Sequence, residues 1–377
     1  MNYRKFPAAD MDVSLLGFGV MRMPVIDGDM TKLDEAESLR MLRYALDNGV
    51  NYIDTAYTYH GGNSEYLIAK ALAGGYREKV LLATKMPYWN MKEPGDMLKT
   101  LDEQLEKLET DCIDMYLIHD IHKPDWDRVK EWKMFDFLTE QRDAGKIRFR
   151  GFSFHGESPE EFKEVLDEYP WDFCQLQVNY KDKDLFAGIK GFEYAVSKGV
   201  PVIIMEALKG GKLTDVVHPS LQKYWASVGY DRTPAEWALR WAANLPGVLT
   251  ILSGMSTMEQ VEENIRVLSD ADEGMMSEQE LDVVDKAAEE YRKLTVYDCT
   301  NCKYCMPCTE GINIPMMIDF RNLYTAYGNV EKMKKAEYAF RVEVEASACT
   351  ACGKCEKACP QRLEIIKAMK ETAEIFE

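Results

Sequence analysis

From Leu15 onward the chain alternates short apolar runs with longer amphipathic stretches, and it does so eight times before residue 295. Short apolar runs bounded by turn residues read as buried strands. The stretches between them, apolar at intervals of three and four, read as helices, so the repeat is that of strand-helix units in a parallel sheet. The expected strands are 15–17, 51–53, 80–84, 113–117, 147–152, 173–178, 200–205 and 248–252. Leu98, Leu101, Leu105 and Leu108 give one helix its apolar face, and Ala235, Ala238, Leu239 and Ala242 give another. Pro94, Pro159 and Pro234 stand near first turns, Ser158 and Thr233 at cap positions, and Gly49, Gly145 and Gly199 near helix ends. Eight such units close naturally into a (β/α)8 TIM barrel, with an open doubly wound sheet as the alternative topology.

A barrel of this kind needs about 250 residues. The chain has 377, so the expected division is a barrel over 1–295 and a second, small, mainly helical domain over 296–377. A formal charge of −18 repels phosphate backbones and anionic lipid, which argues against nucleic acid and membrane surfaces as partners. No apolar run has the length of a membrane span or a signal segment, and the expected location is the cytoplasm.

The ten cysteines fall into two groups. Cys112 and Cys174 stand alone in apolar, strand-like surroundings and are expected to be small core residues. The other eight form two runs, Cys299, Cys302, Cys305, Cys308 and Cys349, Cys352, Cys355, Cys359, too tightly spaced for a disulfide framework in a reducing compartment. The second run, with Pro360 after its last cysteine, has the bacterial ferredoxin spacing, in which three cysteines hold one cubane and the fourth crosses to the other. That rule assigns Cys299, Cys302, Cys305 and Cys359 to one 4Fe-4S cluster, and Cys349, Cys352, Cys355 and Cys308 to a second. The first run departs from the pattern at Thr309, where proline is usual. Two four-thiolate zinc sites are the competing reading, although zinc ribbons use separated pairs of cysteines.

Chemically useful groups gather after the second, third and fourth expected strands: Asp54 and Tyr59, then Lys85, then His119. In a parallel barrel the carboxyl ends of the strands share one rim, where chemistry is done. Asp54-Thr55-Ala56-Tyr57-Thr58-Tyr59, Ala83-Thr84-Lys85 and Leu117-Ile118-His119 resemble the motifs of the aldo-keto reductases, and the resemblance runs over roughly the first 290 residues. It implies that Asp54, Tyr59, Lys85 and His119 are a catalytic tetrad for hydride exchange between a nicotinamide and a carbonyl or alcohol. Tyr59 would then be the proton donor, Lys85 would stabilise its phenolate, Asp54 would orient Lys85, and His119 would hold the carbonyl oxygen.

The same resemblance implies the cofactor residues. Ser153, in Gly151-Phe152-Ser153-Phe154, and Gln177 match residues that contact the nicotinamide carboxamide, with Phe154 standing where the family has asparagine. Gly19, Asp54, Ala207 and Leu208 are further expected contacts, the last two in a loop that lies along the pyrophosphate in this family. Gly254, Ser256, Gln260 and Asn264 match the adenosine-phosphate clamp, and Lys or Arg is missing at Gly254 and Gln260. That absence slightly favours NADH over NADPH, since a 2'-phosphate gains no charge-assisted bonds there. Barrel and cysteine runs together resemble the branch of the family with a carboxyl-terminal two-cluster ferredoxin-like domain. Residues 313–348, between the runs, are expected to be helical. Two functions stay open: a reductase whose clusters transfer electrons or are structural, with a ferredoxin or flavoprotein as redox partner, and an electron carrier whose barrel is a scaffold or uses another redox cofactor.

Overall fold

The computed structural model describes residues 1–9, 11–121, 123–156, 158–214, 218–327, 338 and 342–377. Ten strands are found among them. A short antiparallel hairpin, β1 (Tyr3–Lys5) and β2 (Asp12–Ser14), precedes eight parallel strands: β3 (Leu16–Gly19), β4 (Tyr52–Asp54), β5 (Leu81–Met86), β6 (Ile113–Ile121), β7 (Ile147–Phe154), β8 (Phe173–Gln177), β9 (Val202–Met205) and β10 (Val248–Ser253). These eight close in sequence order, β10 pairing with β3 through Ile251 and Leu16. The fold is a (β/α)8 barrel, and the open-sheet alternative is excluded by that closure.

Every expected strand is present, with edges shifted. β5 and β6 run on past the expected ends at 84 and 117, so Lys85 and His119 lie within strands, Lys85 paired in register with Leu117. Backbone pairing outlasts the apolar run there, and the β6–β7 register becomes irregular only between Ile118 and Ile121, where Asp120 has φ 57°. The caps are as expected: Ser158 accepts from the Glu161 N–H and Thr233 from that of Glu236. Leu98 is a correction, being 43% exposed. On the helix Asp96–Lys107 the buried row is Met97, Leu101 and Gln104, one residue round from the expected face. Cys112 is another, since only Cys174 is a core residue and Cys112 is half-buried just before the amino-terminal end of β6.

The amino-terminal hairpin had no signal in the repeat. It joins the interior, Phe6 and Val13 belonging to the cluster formed by Tyr52, Leu81, Ala83, Met115, Leu117 and Phe173, with the Phe6 ring edge-on to Phe149 at 4.8 Å. Burying so large an apolar set stabilises the barrel at about 25 cal/mol per Å² of apolar surface removed from water.

By compactness the chain separates into one unit of residues 1–208 and 233–278 and another of 209–232 and 279–377. The sequence reading draws a single boundary at 295; compactness groups residues 209–232, and nearly all of the helix Glu278–Leu294, with the cysteine runs. In this second unit the helices Ile314–Tyr327 and Ile365–Phe376 share an apolar core with Tyr297, Ile312 and Tyr338. Phe320, Tyr338 and Phe376 pack ring against ring, and Arg321 pairs with Glu371 at 2.8 Å. Of the stretch 313–348 the helix to Tyr327 is described; 328–337 and 339–341 lie outside the described residues. Among the described residues no helix is long and apolar enough to cross a membrane.

Candidate active site and cysteine hollows

Asp54 ends β4, held in register between Gly19 and Ala83. The Lys85 ammonium, pointing inward from β5, donates to Asp54 Oδ1 at 2.7 Å and to the Thr55 carbonyl at 2.6 Å. Both side chains are almost wholly buried. Burial raises the Asp54 carboxyl above its ordinary range and lowers the Lys85 ammonium below its own, because each loses water; their mutual attraction opposes both shifts.

Tyr59 opens a tight turn, Tyr59–Gly62, in which His60 and Gly61 take left-handed backbone conformations. A non-glycine residue with φ 52° needs a local reason, and His60 supplies it: its ring nitrogens lie 3.0 Å from the Met30 and Val20 carbonyls. The turn is thereby fixed and the Tyr59 ring stands with its centroid 5.0 Å from Lys85 Nζ. His119 meets the same ring edge-on at 6.2 Å and the Trp89 ring at 4.8 Å. Burial, then the Lys85 ammonium and then His155, hold the His119 imidazole well below its ordinary value. At neutral pH it is therefore uncharged and keeps one N–H to donate.

Behind the tetrad lies a layer of hydrogen bonds with no legible signal in the sequence. Gln104 reaches from its helix to the Lys85 carbonyl at 3.1 Å and to buried Glu65 at 2.7 Å, while Thr84 also donates to Glu65 and Tyr116 donates to Gln104. Lys85 is thus held at its backbone as well as at its ammonium. His60 was nearer to being legible, since it follows Tyr59 directly.

The expected cofactor residues divide between those facing the rim and those engaged with one another. Ser153 accepts from the Asp120 N–H at 2.8 Å and keeps its own hydrogen to donate. Gln177 is buried at the end of β8, paired in register with Met205. Gly19 is not demanded by space, since an added Cβ would meet nothing closer than the Ser253 carbonyl at 3.6 Å. Ala207 is buried and Leu208 half-buried. Asn264 donates to Ser253 at 2.9 Å, and Gln260 accepts from the Ser256 N–H at 2.7 Å.

The sequence reading missed Arg22, which meets this loop from the turn after β3. Its carbonyl accepts from the Ser256 hydroxyl at 2.6 Å, its side chain lies where a Cβ on Gly254 would fall, and its guanidinium pairs with Glu206 at 3.4 Å. Arg22 is far from Gly254 in sequence, and only closure of β10 on β3 brings them together. Asp54 Oδ2, His119 Nδ1 and Gln175 Oε1 are buried without hydrogen-bond partners. Buried polar atoms left so are the exception in folded proteins, and a bound polar molecule at this rim fits them.

In the second unit Cys299, Cys302, Cys305 and Cys359 line one narrow hollow of about 10 Å³. Cys308, Cys349, Cys352 and Cys355 line another of about 220 Å³, which Cys305 also borders. The first hollow holds one of the sets that the spacing rule assigns, and the second holds the other together with Cys305; four thiolates are the donor set of a cubane. Burial pushes the Cys299 thiol up to about 11 and the Cys305 thiol to about 12, while Cys352 is exposed.

Comparison with known proteins agrees with both halves. Residues 15–288 match the model of the Aldo/keto reductase family and residues 298–364 that of a 4Fe-4S dicluster domain. The chain belongs to the aldo/keto reductase family, a family of oxidoreductases, and carries a carboxyl-terminal 4Fe-4S domain. Among curated relatives it is 28% identical to the L-galactose dehydrogenase of Arabidopsis thaliana over 76% of this chain and 93% of that one. It is 25% identical to the NADH-specific methylglyoxal reductase of Escherichia coli, over 73% and 98%. Among solved structures, an aldo/keto reductase from Klebsiella pneumoniae in complex with NADP and acetate superposes with a TM-score of 0.59 at 25% identity, over 73% of this chain and 91% of that one.

Proposed function

We propose that the protein exchanges hydride between a nicotinamide cofactor and the carbonyl or alcohol carbon of a small molecule, with Asp54, Tyr59, Lys85 and His119 as the catalytic group. The observation that carries this reading is the buried Lys85–Asp54 pair beside the Tyr59 ring. The nicotinamide, when bound, supplies or accepts the hydride. The protein's own task is the proton: Tyr59 gives it to the developing alkoxide, and an ammonium at this range favours the phenolate left behind. Neutral His119 donates a hydrogen bond to the same oxygen. Asp54, itself buried, keeps Lys85 charged and aimed.

Ser153 and Gln177 would hold the carboxamide, Gly19, Ala207 and Leu208 the middle of the nucleotide, and Gly254, Ser256, Gln260 and Asn264 its adenosine end. NADH is the slightly favoured partner. Arg266 is committed to Glu236 and Glu263, and Arg22 to Glu206, which leaves a 2'-phosphate without an uncommitted arginine among these residues. The relatives are divided, one named as NADH-specific and one solved with NADP.

Two 4Fe-4S clusters, on Cys299, Cys302, Cys305, Cys359 and on Cys308, Cys349, Cys352, Cys355, complete the reading. Exposure of Cys352 supports exchange of single electrons with a ferredoxin or flavoprotein. The test is anaerobic titration of purified protein with NADH, following nicotinamide absorbance and cluster bleaching together. Oxidation of NADH only when a carbonyl is added supports a reductase. Bleaching by NADH alone, with no carbonyl reduced, supports the electron carrier.

A further inference from the structure

The segment that continues β9 carries two lysines with unusual partners. Glu206, Lys209 and Gly210 all have positive φ, at 58°, 50° and 62°. Strain in two non-glycine residues so close together marks a segment held by its surroundings. Lys209 is 1% exposed and pairs with Asp298 at 3.4 Å; Lys212 pairs with Asp319 at 2.6 Å. Asp298 immediately precedes Cys299, and Asp319 lies on the helix Ile314–Tyr327, whose residue Ile318 lines the same hollow as Cys299, Cys302, Cys305 and Cys359. Two cations on one strained segment are therefore tied to the walls of the first cysteine hollow.

We propose that Lys209 and Lys212 are the counter-charges of the first cluster, and that through them its electron count is read by the segment continuing from Ala207 and Leu208. This deepens the functional reading above and rests on it. A one-electron reductant adds one electron to the cluster and no proton, so the charge facing the lysines falls by one. Their attraction to the hollow rises, and less positive potential is left for a pyrophosphate along the adjoining chain. Nucleotide then binds more weakly to the reduced protein, and by reciprocity bound nucleotide makes the cluster harder to reduce.

The test uses ADP-ribose, which has the pyrophosphate but no nicotinamide and so exchanges no hydride. Its dissociation constant is measured anaerobically by calorimetry on the full chain, oxidised and dithionite-reduced, and the cluster midpoint potentials are measured by EPR with and without it. The expected result is binding roughly fivefold or more weaker in the reduced form, within the usual range of such couplings. One cluster, not both, should move to lower potential with ligand. Lys212→Met, at a half-exposed position, should shrink both effects, Lys212→Arg should restore them, and Lys209→Met should shrink them further if it folds. Equal affinity in the two redox states of wild type, or a difference that Lys212→Met leaves intact, overturns the proposal. Failure of ADP-ribose to bind the oxidised, iron-replete protein overturns the nicotinamide reading as well, and so is told apart from failure of the coupling alone.

Discussion

The tetrad of the barrel and the thiols of the second unit solve opposite problems. Asp54, Lys85 and His119 stand on strands whose backbones are paired on both sides, and an apolar interior holds them whether or not a ligand is present. The cysteines border hollows, and six of the eight are packed against a core drawn chiefly from two helices. A hollow lined by thiols has no reason to stay open without the group that bonds them, whereas a strand end has no such need. The expectation is that one region is built first and filled afterwards, whereas the other folds around what fills it.

The largest expected effect follows directly. Chelating the iron anaerobically should unfold the second unit while the first stays folded, seen as loss of part of the helical circular dichroism and as proteolytic cuts confined to residues 209–232 and 279–377. Iron analysis should first give about eight irons per chain, falling to about four in Cys352→Ala. Two zinc ions per chain and no visible absorbance would overturn the cluster assignment. If the chelated second unit keeps its protection, the contrast itself is wrong.

Next comes Lys85→Met, which tests how far the barrel's site is part of its core. It strands Asp54 as a buried carboxylate without its partner, a change that costs about 3–5 kcal/mol. Both turnover and thermal stability should fall, and unfolding in denaturant measures the second. Unchanged stability would mean that Asp54 takes up a proton and that the pair is not charged in the folded protein. Burial already pushes Asp54 in that direction. Where stability does fall, lowering the pH should recover it in the variant, because a carboxyl whose folded pKa is raised is destabilising above its unfolded value and ceases to be so below it.

Tyr59→Phe separates chemistry from architecture. The ring and its packing remain, so stability should hold while carbonyl reduction drops by about 10² to 10⁴, the range for loss of a positioned proton donor. Nucleotide binding should survive. Since His119 is held neutral by burial, wild-type kcat/KM should show no inflection near the ordinary imidazole value of about 6.5; an inflection there would mean that His119 is solvated and outside the site.

How much of this was legible in the sequence follows from how each feature is encoded. Strand-helix alternation and cysteine spacing are local patterns, so all eight barrel strands could be read before any geometry and both cysteine runs stand out in the sequence. Lys85 and His119 were legible as groups toward the carboxyl ends of their strands, although both lie inside those strands and not after them. Arg22 was not, for its meeting with Gly254 and Ser256 depends on β10 pairing with β3 across more than two hundred residues. The Gln104–Glu65 layer was equally hidden, since a buried Gln on a helix carries no periodic mark. Leu98 was misread for the opposite reason: the leucine spacing was real, but Met97 fits the barrel and leaves Leu98 in water.

The smallest effect concerns the choice of nucleotide, and here the structure changes what the experiment means. Gln260→Arg introduces a cation and at the same time removes the Gln260 acceptor of the Ser256 N–H. Loss of that bond costs about 0.5–1.5 kcal/mol, but it weakens the loop equally for NADH and NADPH. The ratio of the two affinities therefore isolates the charge. One charge-assisted contact to the 2'-phosphate is worth about 1.5–3 kcal/mol, so the ratio should move toward NADPH by roughly 10- to 150-fold, even where both affinities fall. Competitive binding of the two nucleotides to wild type and variant measures it. If wild type already prefers NADPH by more than about tenfold, Arg22 is the residue to remove. Its guanidinium would then have to leave Glu206 for the phosphate, and Arg22→Met should abolish the preference, whereas an Arg22 that stays paired leaves it unchanged.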